Sequence, residues 1–322
     1  VLPMLEDYIN ALRAGQRATR AAQARGQSPY LAVLDDILRG VNIVAQEPLG
    51  LVDIPAESIV GTKTAGRHTA FAPNFMPILE VDSEFARKWS NLCDAHLEEG
   101  IRNPVTAYEY LNKFYVEEGN KRVSVLKYYE AVKIPGTVTR LVPERNETLE
   151  NKIYYEFLDF YKLSKINYVH FSRLGGYAKL QTLVCKATGE SWTDDRLNFA
   201  SLYTMFSQQF YALGGSALGL TPGDALLVYL AVYRYSDAIE STPAQVRENL
   251  SKLWDEIKIL TRPQAVELQL EPATKQGAEP LLSKLNIFSP RPSELRVVFL
   301  HEHNAQTSAW GRGQDKGRDA RL

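Results

Sequence analysis

Apolar residues fall at helical spacing from Leu5 through Ile9 to Leu12, which predicts an amphipathic helix over residues 4–25. Its other side carries Arg13, Arg17 and Arg20 at i, i+4 and i+7, a spacing that fits a solvated face or a stripe for a phosphate or a partner. A second helix is expected in "YLAVLDDILRG", after Pro29 and ending at Gly40. The pattern changes over residues 50–82: a short strand, "LVDIP", leads to a loop dense in Gly, Thr, Lys and Arg, and then to an aromatic and proline segment. Asp82 or Ser83 suits the cap of a helix running to about Glu99, and Pro104 suits the start of another, short helix. "KFYVEEG" reads as a strand, a helix follows from Asn120, and "KIPGTVTRLVP" reads as a β-rich run.

From about residue 148 the spacing is largely helical, in segments 150–163, 177–187, 194–213, 222–235 and 243–260. Two carry start signals: Thr221 before Pro222, and Thr242 before Pro243 with Gln245 three positions beyond the cap. The many tyrosines on these helices are expected to pack between them. "AVELQLE" at 265–271 reads as a strand, and 272–293, punctuated by Pro, Gly and Ser, as a linker. "ELRVVFLHEH" then reads as an apolar strand, with ligand-capable His301, Glu302 and His303 at its end, followed by a helix-like "SAWGRGQDKGRDARL". A lone strand and helix cannot bury their apolar faces, so this ending is expected to open a further βα domain.

Composition narrows the classes only a little. The 322 residues are 45% hydrophobic with net charge −1, so any pull on phosphate must come from local clusters. Cys93 and Cys185 sit in apolar stretches without CxxC spacing and read as buried thiols in a reducing compartment. No stretch suggests a membrane span, and the first residues lack the apolar core of a secretory signal, so the expected location is the cytoplasm.

Two basic clusters carry the candidate chemistry. In "EEGNKRVSVL" a helix is expected to start at Asn120, a good cap, with Gly119 supplying the sharp turn. Lys121 and Arg122 then stand where the helix dipole repels cations, at a cost of about 0.3–1 kcal/mol each. An anion bound there reverses that cost; neutralisation by Glu117 and Glu118 is the alternative. "GTKTAGRH" at 61–68 packs Thr62, Lys63, Thr64, Gly66, Arg67 and His68 together with no acid, which is the inventory of a phosphate cradle or of a solvated turn.

The order strand, "IP", "GTKTAGR", strand, "EGNKRVSVL", helix resembles the ParB/sulfiredoxin-like fold over about residues 48–143. That resemblance implies a nucleotide or other phosphate-bearing ligand held by Gly119, Asn120, Lys121 and Arg122 with the loop Thr62–Arg67, and a nucleoside triphosphate with magnesium as the cofactor. The segment lacks the cysteine of the sulfiredoxin branch, which argues against sulfinic reductase chemistry. The partition-protein branch continues into a DNA reader, but residues 221–260 hold six acids against four bases, so charge does not support DNA as a partner. The tail "LRVVFLHEHNAQTSAWGRGQDKGR" resembles the opening of the basic-membrane-protein family of ligand-binding domains, through Ser308, Trp310, Gly317 and Arg318, with Gln314 where a histidine is common.

The expected architecture is therefore α+β: N-terminal helices at 1–47, a small mixed-sheet ParB/sulfiredoxin-like domain at 48–147, a helical domain at 148–271, a linker at 272–293, and the start of a basic-membrane-protein-like domain at 294–322. The expected function is a nucleotide- or phosphate-binding regulatory module of a cytoplasmic ligand sensor. A triphosphatase or nuclease on the same fold, with Glu117 or Glu118 helping to hold a metal, is one alternative; the substrate-binding component of an ABC transporter is another. The helical region is the candidate surface for a homo-oligomer.

Overall fold

A computed structural model describes residues 3–184, 191–193 and 195–261. Cys185 and the expected strand, linker and tail beyond residue 262 lie outside the described residues. Helix α1 (Pro3–Ala24) buries Tyr8, Ala11 and Leu12, whereas Leu5, expected on that face, is 39% exposed. Tyr8 fixes the stripe, because its hydroxyl donates to the Leu79 carbonyl at 2.8 Å and its ring meets Trp89 edge-on. Arg13, Arg17 and Arg20 are exposed.

The helix expected at 30–40 is mostly absent. Ala32–Val33 form strand β1, and only one helical turn, α2 (Leu34–Ile37), follows. Pairing outweighs local spacing here: Ala32 and Val33 align with Gly61 and Thr62 of β3 (Ile59–Thr62). A side chain at position 61 would put its Cβ 2.3 Å from the Ala32 carbonyl, so glycine permits the approach. Strand β2 (Ile43–Pro55) runs well beyond "LVDIP" and starts ahead of residue 48. Helix α3 (Glu84–Glu98) is capped by Ser83, whose Oγ accepts from the Ala86 N–H at 3.1 Å. After Pro104, where a short helix was expected, the chain forms strand β4 (Val105–Tyr110), whose inward Val105 and Ala107 alternate with half-buried Thr106 and Tyr108. Strand β5 (Lys113–Glu118), helix α4 (Asn120–Tyr128) and strand β6 (Lys133–Pro143) match their expected positions.

These strands form one mixed six-stranded sheet in the order β1-β3-β5-β4-β6-β2. β1, β3 and β5 are mutually parallel; β4 runs antiparallel to β5 and parallel to β6, and β2 closes the far edge antiparallel to β6. Phe114 and Val116 of β5 join a core with Val123 and Leu126 of α4, while the intervening Tyr115 points to a second cluster with Leu34, Tyr110 and Leu141. That alternation is what a sheet covered on both faces requires. A third cluster ties α1 and α3 to α4, with the buried Trp89 indole donating to Ser124 Oγ at 2.8 Å. Cys93 is buried in it, and burial pushes its thiol up to about 12, as expected of a structural cysteine.

The second half is helical: α5 (Leu149–Ser164), α6 (Gly176–Leu183), α7 (Arg196–Ala212), α8 (Pro222–Val232), α9 (Tyr235–Ile239), α10 (Pro243–Lys252) and α11 (Trp254–Ile259). The expected single helix 222–235 breaks after α8 because Tyr233 is extended, and 243–260 divides at Leu253. Thr221 and Thr242 form full capping boxes with Asp224 and Gln245. Helix α8 is buried all round from Ala225 to Leu230 and packs against α6, α7 and α11. Among the described residues no helix is long and apolar enough to cross a membrane.

The helical half meets the sheet through β6. Ile134 and Val138 belong to the core under α4, whereas Val142, on the same face, belongs to the helical core. Between them Arg140 pairs with Glu109, both almost wholly buried. Burial pushes the Glu109 carboxyl up, while Arg140, the Asn112 N–H at 2.7 Å and the Tyr154 hydroxyl at 3.1 Å stabilise its charge. The Arg140 guanidinium also lies over Tyr161, 4.4 Å from the ring centre.

Candidate anion site at the start of α4

The two basic clusters of the sequence come together because β3 and β5 are parallel neighbours, with Thr62 opposite Val116. Both following loops therefore leave the sheet at the same edge. The buried Thr62 hydroxyl donates to the Val116 carbonyl at 2.9 Å, and Asn120 Nδ2 donates to Thr62 Oγ1 at 3.3 Å. The other end of that amide, Asn120 Oδ1, is covered and has no hydrogen-bond partner.

Asn120 was expected to cap the helix; it does not. Gly119 takes the cap position at φ 107°, and Asn120 is the first helical residue with its side chain turned to Thr62. Glycine is required there twice over, since a Cβ would be strained at that φ and would lie 2.8 Å from Val105 Cγ1. The consequence is a helix start with no side-chain cap and no acid in its first turn.

Lys121 lies against this start with its ammonium 4.8 Å from the centre of the Phe85 ring. Burial, then Arg67 and then Lys88 push its pKa down, with Glu84 pulling the other way. Arg67, Lys88 and Glu84 are thus the charged groups that act on Lys121. Lys88 pairs with Glu84 one turn earlier at 2.6 Å. Arg67 is exposed, in a 3-10 segment (Ala65–Ala70) that it kinks at φ −140°.

The other expected ligands have structural partners. Arg122 donates to the carbonyls of Asn103 and Pro104 at 3.0 and 2.7 Å and lies 3.6 Å from Glu118, so its guanidinium braces the loop entering β4. Lys63 is paired with Asp35 and sits 5.3 Å from the Tyr108 ring centre. His68 holds the Ala65 carbonyl through Nδ1 at 2.6 Å. Thr64 and Gly66 are exposed, and Thr64 makes no side-chain cap. Glu117 and Glu118 are both exposed at the end of β5, Glu118 beside Arg122. Among the described residues no group of three or more His, Cys, Asp or Glu could hold a metal ion.

No family model and no curated protein matches this sequence.

What the geometry offers chemically is a set of donors: the first-turn N–H groups of α4, the Lys121 ammonium and the Arg67 side chain, with Lys88 already paired to Glu84. Sequence reading found Lys121, Arg67 and the turn, because they lie within two short basic runs. It missed Lys88 and Phe85, which arrive from α3; the one signal for them was the surplus of cations in "EFARKW" around a single acid.

Proposed function

We propose that the start of α4 binds a phosphate-bearing ligand, of the class of a nucleotide, and that this chain acts through that site as a regulatory binding module. The observation that carries the reading is an uncapped helix start, without an acid in its first turn, that holds Lys121 with Arg67 near enough to push its pKa down. Backbone N–H groups, helix dipole and cations then all favour the same negative charge. The ParB/sulfiredoxin-like resemblance points to the same turn, and the junction of β3, β5 and α4 supports it. Two residues change role relative to that resemblance. Lys63 and Arg122 serve the scaffold, which leaves Lys121 and Arg67 to carry the charge at this turn.

A thermal-shift titration with ATP, ADP and inorganic pyrophosphate, with and without magnesium at constant ionic strength, tests this. A ligand at 100 times its Kd stabilises the folded state by about 2.7 kcal/mol. The expected result is a saturable rise in Tm that Lys121→Gln and Arg67→Gln each diminish while leaving the unliganded Tm nearly unchanged. A rise that is linear in concentration, or the same in those variants, counts against the site.

A further inference from the structure

At the other end of β5 from α4, the β4–β5 hairpin, the first turns of α5 and the loop before α6 enclose a half-open pocket of about 490 Å³, lined by residues 111–113, 149–150, 153–154 and 170–172. That volume lies in the range of small-molecule sites. Leu111, Ile153 and Phe171 give it apolar walls, and Leu149, 55% exposed, extends them into solvent. Leu111 and Asn112 are the two loop residues of the hairpin, at φ 51° and 63°. Such a turn favours Asn-Gly, so a leucine at its first position is strained. Leu111 is nonetheless held there, packed against the helical core and the cluster around Tyr110, which fixes that side of the pocket.

Lys113 and Glu150 belong to the same lining, with Nζ and Oε1 2.8 Å apart. Their side chains are 50% and 57% exposed, so both charged heads are within reach of a guest. They are the charged side chains of this lining, since burial pushes His170 down to about 4 and leaves it neutral. A solvent-exposed pair of this kind contributes little to folding, and opening it costs correspondingly little. The pocket is thus an apolar hollow with one cation and one anion side by side at its edge. A ligand with a single charge would satisfy one of them and take away the other's partner. A ligand with both charges on neighbouring atoms replaces one ion pair with two.

We infer that this pocket binds a free α-amino acid with a bulky apolar side chain: its carboxylate pairs with Lys113, its ammonium pairs with Glu150, and its side chain lies along Leu111, Leu149, Ile153 and Phe171. The inference is independent of the anion site, which lies beyond the opposite end of β5 and presents charge of one sign.

Calorimetric titration of the full chain at constant ionic strength tests it, with L-phenylalanine, 3-phenylpropionate and phenethylamine as probes. The last two each lack one of the charged groups. The expected result is saturable binding of L-phenylalanine, with about tenfold weaker binding of each analogue and of glycine, which lacks the apolar part. Lys113→Gln is expected to weaken L-phenylalanine about tenfold without weakening phenethylamine, which has no carboxylate to lose a partner. Glu150→Gln should likewise weaken L-phenylalanine without weakening 3-phenylpropionate. Both variants are expected to keep the wild-type Tm, because the pair is exposed. Equal binding of the three aromatic probes, no saturable binding of L-phenylalanine or L-leucine, or L-phenylalanine binding insensitive to either variant would overturn the inference.

Discussion

Helices α4 and α6 begin alike, and the chain treats their beginnings in opposite ways. Each takes a glycine at positive φ as its cap, Gly119 at 107° and Gly175 at 79°, and neither has a capping side chain of its own. At α6 the protein supplies an anion itself: the Glu156 carboxylate of α5 accepts the Gly175 N–H at 2.8 and 3.0 Å. At α4 it supplies Lys121 and Arg122, and the nearby carboxylates pair with side chains of the same neighbourhood, Glu84 with Lys88 and Glu118 with Arg122. The α8 and α10 starts are closed as well, by Asp224 and Gln245. A helix start finished from within is scaffold; one finished with the wrong sign of charge is left for something from outside. This difference separates the start of α4 from those of α6, α8 and α10.

The largest expected effect concerns the far end of α4, where a cation suits the dipole. Lys127 is half-buried, donates to the Ile59 carbonyl at 2.8 Å and lies 5.0 Å from the Phe75 ring centre. Burial pushes its pKa down from 10.5 to about 8. Between those values the unfolded chain holds a proton that the folded chain has released, so this group adds stability as pH rises. Denaturant unfolding of wild type against Lys127→Met should show the wild type gaining about 2 kcal/mol relative to the variant from pH 7.5 to 9.5.

Next in size is the opening of α6. Glu156→Ala removes the acceptor for Gly175 and should cost about 1–2 kcal/mol in the same measurement, whereas Glu156→Gln keeps an acceptor and should cost less. Equal losses from the two would mean that the carboxylate acts through packing and not as a cap.

The smallest effect has the opposite sign. Lys121→Glu puts an acid into the first turn of α4 and relieves repulsion from Arg67 and Lys88, so the ligand-free protein should gain about 0.5 kcal/mol. The same variant should lose pyrophosphate binding. A destabilised variant would show instead that the contact with Phe85 is what keeps Lys121 in place.

The sequence disclosed most readily what depends on near neighbours. Thr221 before Pro222, Thr242 with Gln245, and a cap at Asp82 or Ser83 before α3 were readable because such start signals lie within one turn. Strands β5 and β6 were readable from their own runs. Strand β1 was not, since two residues have no period and acquire meaning only through Gly61 and Thr62. Pro104 misled because it serves equally before a helix and before a strand; β4 forms because β5 and β6 flank it. Within the site, Gly119 and Lys121 were legible as a sharp turn followed by misplaced charge. The fates of Arg122, committed to Asn103 and Pro104, and of Lys63, committed to Asp35, were not, because those partners are remote in sequence. Electrostatic inventory can be read from a run of residues, but which cations remain available is decided by tertiary contacts.

The most direct test compares the two glycine-led helix starts in one experiment. Uniformly 15N-labelled protein is titrated with inorganic pyrophosphate at constant ionic strength while the amides of Asn120 and Lys121 are followed beside those of Gly176 and Tyr177. Saturable shifts at Asn120 and Lys121, with Gly176 and Tyr177 unmoved, are the predicted result. Equal movement at both helices, or no movement at Asn120 and Lys121, would contradict it.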